Sequence, residues 1–263
     1  MAANVQSDQR RFTVVKLPIL QIVLESLILP YRHLPELVKY GWIPFAGTLA
    51  ARLIEWFIGR FAVPSAAVSA VIPIARFFLF IPFSVVWTKI AIEGPNAKLP
   101  ERPFEYRRTE WAYALAAVAM LAVITLLIGL PLSLYRYGQQ TFQTPTTYFG
   151  ALLLAVGAVL AGVIFVRFAF VFPAVAIGRF NGIGPAWRQT AGNIESLAAV
   201  MALAFAPYLI LNQMIRFGMQ PEGAGVSAML AAFLQILTGS MTVNVNSIAP
   251  ALASKWIVLG KRG

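Results

Sequence analysis

The chain contains no cysteine and only one histidine in 263 residues. Without cysteine it can form no disulfide, no thiol nucleophile and no cysteine-ligated metal site. The single histidine, His33, cannot build the paired-histidine sites of metalloenzymes, and no acid–base partner set accompanies it. The sequence therefore predicts no metal site, no cofactor and no catalytic residue, and we expect a protein that is not an enzyme.

Charge is also scarce, because charged residues make up 12% of the chain and hydrophobic residues 59%. A soluble domain carries about 25% charged residues. The apolar residues form blocks of the length that crosses a bilayer, which is about 20 residues. The sequence therefore predicts an all-α, polytopic membrane protein.

Acidic residues are few, with 10 Asp and Glu against 21 Lys and Arg, which gives a net charge of +11. In a soluble protein this balance would suggest nucleic acid as a partner. Here the basic residues cluster at the ends of apolar blocks, as in loops that face anionic lipid. We expect the phospholipid bilayer as a partner, possible association with other membrane protein subunits, and no nucleic acid.

Six apolar blocks predict six transmembrane helices arranged as three hairpins. Their approximate ranges are 42–62, 66–90, 111–134, 149–178, 196–215 and 226–252. Basic residues concentrate before the first block, between alternate blocks and in the C-terminal tail, and this bias places both termini in the cytoplasm.

An earlier apolar stretch, 13–31, is interrupted by Lys16, Gln21 and Glu25. Its polar interruptions predict an amphipathic helix that lies in the membrane interface. A re-entrant segment or a seventh crossing is the alternative. The resulting organisation is a cytoplasmic N-terminus with an interfacial helix over 1–40, followed by a six-helix transmembrane domain over 41–263.

Two arginines, Arg76 and Arg167, stand deep inside predicted crossings. An arginine at the centre of a membrane helix costs at least about 2.5–3.5 kcal/mol, so each should have polar partners. Four residues of other crossings are candidates: Glu55, Gln235, Asn244 and Asn246.

Proline supplies further acceptors in the same helices. Pro82, Pro173 and Pro250 each follow a polar residue by six positions. A proline cannot donate to the carbonyl four residues earlier, so the carbonyls of Phe78, Ala169 and Asn246 should be free.

Besides contact of an arginine with a phospholipid headgroup drawn into a cleft, two interpretations of these polar residues remain open. They form either a structural clamp between helices or a path for an anion or other substrate. The first corresponds to a non-enzymatic, lipid-associated scaffold or accessory subunit of a membrane assembly, and the second to a small transporter or channel.

Basic and aromatic residues outside the crossings are candidates for contact with lipid headgroups. They are Arg107, Arg108, Arg179, Trp187 and Arg188. Residues 185–190 should form a short helix with Trp187 as its anchor. Asn193 stands at the N-cap position of the crossing that follows.

The stretch VRFAFVFPAVAIGRFNGIGPAWRQTAGN at 166–193 resembles uncharacterised bacterial inner-membrane proteins of the YciC-like type. It is also similar to the membrane domain attached to some glycerophosphodiester phosphodiesterases. The matching residues are Arg167, Pro173, Ala186, Trp187, Arg188, Thr190, Gly192 and Asn193. The resemblance implies a six-helix domain in the bacterial inner (cytoplasmic) membrane, and it carries over no catalytic residue.

Overall fold

The computed structural model describes residues 16–61, 66–142, 147–179, 183–219 and 226–260. All regular secondary structure in these ranges is helical, which confirms the predicted all-α class. The elements are α1 (Ile19–Arg32), α2 (Leu34–Phe61), α3 (Ala66–Glu93), a 3-10 turn (Gly94–Asn96), α4 (Arg108–Phe142), α5 (Thr147–Phe168), α6 (Val171–Ala176), α7 (Ile183–Thr190), α8 (Ile194–Met219) and α9 (Val226–Gly260).

Four helical segments of the described chain are long and apolar enough to cross a membrane, and not the six predicted from the sequence. They are Val71–Asn96, Arg108–Ser133, Leu152–Ala176 and Ile194–Gly218. The protein therefore has the helices of a multi-pass membrane protein, with four candidate spans.

The predicted crossings at 42–62 and 226–252 are the two that do not qualify. Residues 42–61 lie in α2 and 226–252 in α9, and residue 62 is outside the described residues. However, Arg52 and Glu55 interrupt the apolar sequence of α2, and amide and hydroxyl groups recur along α9 from Gln235 to Ser247. The predicted domain boundary at 40/41 lies within α2, and the division into two units stays a prediction.

The predicted N-terminal helix is present as α1, which packs against α8 and α9. Ile22 and Ser26 are fully buried there, whereas Leu20 and Leu24 are exposed on the opposite side. Residues 13–15 of the predicted stretch lie outside the described residues. Placement of α1 in the membrane interface stays a prediction.

The fourth predicted block, 149–178, is divided between α5 and α6. The helix is interrupted at residues 169–170, so that Pro173 stands in the first turn of α6. Amides of a first turn have no partner within their helix, so proline loses nothing there. The interruption therefore avoids the lost hydrogen bond and the steric clash that Pro173 would cause inside a continuous helix.

The core lies between α3 and α9. Trp87, Val85 and Ile248 are completely or almost completely buried, and residues 81–88 of α3 contain no exposed or half-exposed position. In addition, α9 contacts α1, α2, α6 and α8. The amide and hydroxyl side chains of α9 from Gln235 to Ser247 are buried or half-buried there, apart from Asn246, which is exposed.

Candidate functional site

A cavity of about 890 Å³ opens between α2, α3, α8 and α9. Its polar wall is formed by Thr48, Arg52, Glu55, Arg76, Tyr208, Asn212, Arg216, Gln235, Ser240 and Thr242. Several of the polar residues of α2 and α9 therefore face this cavity, among them Arg52, Glu55 and Gln235.

Helical periodicity brings these residues together. On α8, Tyr208, Asn212 and Arg216 follow one another at intervals of four, and on α2 Thr48 and Arg52 do the same. Residues three or four apart share one face of an α-helix. Sequence analysis missed Asn212 and Arg216, although their spacing from Tyr208 was the signal that could have revealed them.

Glu55 joins two arginines of the cavity through one carboxylate oxygen. Its Oε2 lies 3.1 Å from Arg52 Nη1 on the same helix and 3.1 Å from Arg76 Nη2 on α3. The predicted partnership of Glu55 with Arg76 is therefore present. It joins α2 to α3.

Arg76 keeps hydrogen-bonding capacity that the protein does not use. Its Nε and Nη2 atoms are buried and have no hydrogen-bond acceptor among the described residues, although Nη2 is close enough to Glu55 for an ion pair. The Nη2–Oε2 distance of 3.1 Å is that of an ion pair, but the geometry at these two atoms is not that of a hydrogen bond. Buried donors without acceptors cost about 1–3 kcal/mol each, so a ligand oxygen at this place would be stabilised.

The cavity carries an excess of positive charge. Arg52, Arg76 and Arg216 line it, and Glu55 is the one acidic residue in the described wall. Apolar side chains complete the lining: Trp56, Phe80, Leu209, Ile236 and Val243. The arrangement suits an anionic group attached to an apolar body.

The remaining candidates of the predicted polar set are separated. Gln235 lines the cavity. Asn244 is buried on another face of α9, where its Nδ2 contacts Met241 Sδ at 3.7 Å and its Oδ1 has no partner. Asn246 is exposed. Neither asparagine lines the cavity with Arg76. Position 244 is on the opposite face of α9 from Gln235, whereas position 246 is on the same face but lies about 16 Å further along the helix.

Arg167 lies outside the cavity and meets α7. Its Nη1 donates to the carbonyl oxygen of Trp187 at 3.1 Å, and its guanidinium carbon lies 4.5 Å from the centroid of the Trp187 ring. None of the predicted polar partners reaches it. The interaction joins two helices, as in the predicted clamp, but its partner lies on α7, between the predicted crossings and not within one of them.

The predicted short helix at 185–190 is confirmed as part of α7. Thr190 Oγ1 also donates to the Trp187 carbonyl, at 2.9 Å, and Gly192 ends the turn with a φ of 83° that favours glycine. Asn193 directly precedes α8, but its buried Oδ1 has no hydrogen-bond partner. The expected side-chain cap is therefore not made.

The segment before α4 uses one of the predicted free carbonyls. Tyr106 Oη donates to the carbonyl oxygen of Phe78, which Pro82 leaves without a helical donor. Burial raises the pKa of Tyr106 to about 12, and the charge of Glu110 acts in the same direction. The sequence predicted the free carbonyl but not its donor.

The basic residues predicted at the interface are on the surface. Arg107, Arg108, Arg179 and Arg188 are exposed, and Trp187 is 40% exposed. A hydrogen bond from Arg107, 2.7 Å in length, holds the pKa of the Glu105 carboxyl below its ordinary value. Contact of these residues with lipid headgroups stays a prediction.

Comparison of the chain with protein-family models, with curated proteins and with solved structures finds no match. The case for a function therefore rests on the cavity and its chemistry.

Proposed function

We propose that this chain is an integral membrane protein that binds an organic anion in the cavity between α2, α3, α8 and α9. The observation that supports the proposal most directly is Arg76, whose buried Nε and Nη2 find no hydrogen-bond acceptor in the described part of the chain, apart from the ion pair of Nη2 with Glu55. A carboxylate or phosphate would provide acceptors for both, in the paired geometry that a guanidinium favours.

The surroundings support an amphiphilic ligand. The cavity has more arginines than its one described acid can neutralise, and aromatic and aliphatic side chains form the rest of the wall. A charged group held by Arg76 and Arg216 would leave its apolar portion against Trp56 and Phe80. Such a ligand reaches the protein through the bilayer as readily as through water.

Binding fits better than free conduction. Beyond Phe80, residues 81–88 of α3 are all buried in the core, so this stretch of α3 closes the cavity at that end. Of the two roles expected from the sequence, a transporter or channel and a lipid-associated accessory protein, the second agrees better with a cavity of this form. We retain the proposal of a non-enzymatic protein.

Fluorescence can test the binding. Trp56 lines the cavity, so 9,10-dibromostearate should quench it when the carboxylate occupies the arginines. In protein purified in dodecyl maltoside, we expect saturable quenching. Arg76→Gln should weaken the apparent affinity at least about tenfold, since a hydrogen bond to a charged group contributes about 1.5–3 kcal/mol.

Two variants control the measurement. Arg102→Gln removes an exposed arginine that does not line the cavity and should leave the affinity unchanged. Trp56→Phe should remove the saturable part of the quenching. Equal affinity in Arg76→Gln and the unsubstituted protein would contradict the proposal, as would quenching that never saturates.

We propose the bacterial inner membrane as the location, with both termini in the cytoplasm. The basic pairs Arg10–Arg11 and Lys261–Arg262 favour the cytoplasmic side for the two termini. A C-terminal reporter that is active only in the cytoplasm should give signal. A silent but expressed fusion would contradict this orientation.

A further inference from the structure

A second cavity, of about 440 Å³, lies where α3, the 3-10 turn, α4 and α6 meet. It is lined by Lys89, Glu93, Asn96, Lys98, Thr109, Ala176, Ile177 and Gly178. Along α3, Arg76 of the first cavity and Lys89 of the second are about 20 Å apart on the helical rise. The core residues 81–88 lie between them, so the two cavities are separate.

The second cavity lies at the ends of three candidate spans. One span ends at Asn96, the next begins at Arg108, and a third ends at Ala176. Asn96, Ala176 and Thr109, the neighbour of Arg108, all line the cavity. The change from apolar to polar sequence in three helices thus places the cavity at the level of lipid headgroups.

The charges of the cavity are not used within the protein. Among the described residues, no ion pair joins Lys89 or Lys98 to a carboxylate, and Glu93 also forms none. Lys89 is half-buried, which makes an unpaired ammonium group there more costly than on an open surface. Asn96 and Thr109 add a side-chain amide and a hydroxyl as neutral donors.

We propose that this cavity binds the phosphate group of a phospholipid headgroup. Lys89 and Lys98 neutralise the phosphate charge, and Asn96 and Thr109 donate to its remaining oxygens. The lysine ammonium binds phosphate as a point charge, which suits a site at a flexible headgroup. The acyl chains extend from the cavity along the apolar surface of the neighbouring spans.

Glu93 gives the site a preference among headgroups. Its carboxylate lies in the same wall as the lysines and can accept hydrogen bonds. The ammonium of phosphatidylethanolamine can donate to it, whereas the choline of phosphatidylcholine has no N–H group. The site should therefore prefer the first lipid over the second.

Thermal unfolding in dodecyl maltoside tests the site. Added dioleoyl phosphatidylethanolamine should raise the Tm of the unsubstituted protein, and dioleoylglycerol, which lacks phosphate, should not. Lys89→Gln and Lys98→Gln should each weaken the apparent lipid affinity about fivefold, through loss of a charged hydrogen-bond donor. Lys16→Gln removes an exposed lysine outside the cavity and is the matched control.

Each outcome decides one part of the proposal. Equal lipid-induced shifts in the two cavity variants and the control would overturn it. A lysine-dependent shift with inorganic phosphate but none with lipid would overturn the lipid as the source of the phosphate. An equal shift with dioleoyl phosphatidylcholine would overturn the role of Glu93, and Glu93→Gln should remove any preference between the two lipids.

Discussion

Arg167 and Trp187 are joined twice: the arginine donates a hydrogen bond to the tryptophan carbonyl at 3.1 Å and lies 4.5 Å from the centroid of its ring. The carbonyl belongs to the last turn of α7, where helical donors are absent and the helix dipole favours a cation. The single arginine of the apolar helix α5 therefore interacts with the C-terminal end of α7. The pair connects α5 to α7.

Arg167→Leu should destabilise the protein. The substitution removes a charged hydrogen bond and a cation–π contact, for an expected loss of about 2–3 kcal/mol. Chemical unfolding in dodecyl maltoside gives the measurement. Arg188→Leu, an exposed arginine on α7, is the control and should change the stability by less than about 0.5 kcal/mol. Similar stabilities of the two variants would contradict the structural role of Arg167.

Tyr106→Phe should destabilise the protein by about 1 kcal/mol, because the carbonyl of Phe78 loses its donor. The cost should depend on Pro82. In Pro82→Ala, the new amide of residue 82 can donate to the same carbonyl, so Tyr106→Phe should cost less in that background. A double-mutant cycle of unfolding free energies measures the difference, and additive effects would show that the carbonyl has no such dependence.

Tyr106 should also make stability depend on pH in the alkaline range. Burial raises its pKa in the folded state from 10.0 to about 12, so the unfolded chain releases the proton first. The contribution of this residue is complete below pH 10 and is lost as the pH rises from 10 to about 12. Between these pH values the stability of Tyr106→Phe should fall less than that of the unsubstituted protein. Parallel curves would contradict the shift.

The sequence indicated which arginines need polar partners better than it indicated which partners they have. Arg76 forms an ion pair with Glu55. This partner could be predicted because Glu55 is the one acidic residue inside a predicted crossing. Arg167 donates to the Trp187 carbonyl and not to an amide side chain of another crossing. This partner could not be predicted, because helix periodicity does not determine which helices are neighbours. For the same reason, the sequence could not show that Asn212 and Arg216 line a cavity shared with α2 and α9.

Hydropathy had a related limitation. The blocks at 42–62 and 226–252 look like the other crossings when apolar residues alone are followed. Their polar residues, among them Arg52 and Gln235, gather in one cavity only after the helices pack. Apolar blocks alone therefore overestimated the number of candidate spans, since the described residues contain four and not six, while they predicted the helical class correctly.

Glu55→Gln should have opposite effects on stability and on anion binding. Loss of the carboxylate leaves Arg52 and Arg76 without their shared partner, so we expect a loss of about 1 kcal/mol in unfolding free energy. The same change removes a competitor for Arg76, so the affinity for 9,10-dibromostearate should rise roughly threefold. Weaker binding in Glu55→Gln would indicate that Glu55 positions Arg76 for the ligand instead of competing with it.

The hairpin of α4 and α5 depends on a close approach at Gly157. A Cβ atom at this position would lie 2.3 Å from the backbone carbonyl oxygen of Leu127 on α4. Small residues permit such contacts between apolar helices, where van der Waals packing replaces the hydrophobic effect. Gly157→Ala must therefore push the two backbones apart, and we expect a loss of about 1–3 kcal/mol in stability.

Gly162 on the same helix separates this effect from helix propensity. A Cβ atom there would meet nothing within 4 Å, so Gly162→Ala should stabilise α5 by about 0.5–1 kcal/mol. Unfolding free energies of the two alanine variants should thus change in opposite directions. If both variants were more stable than the unsubstituted protein, α4 and α5 could not approach as closely as their contact at Leu127 requires, and the hairpin packing described here would be wrong.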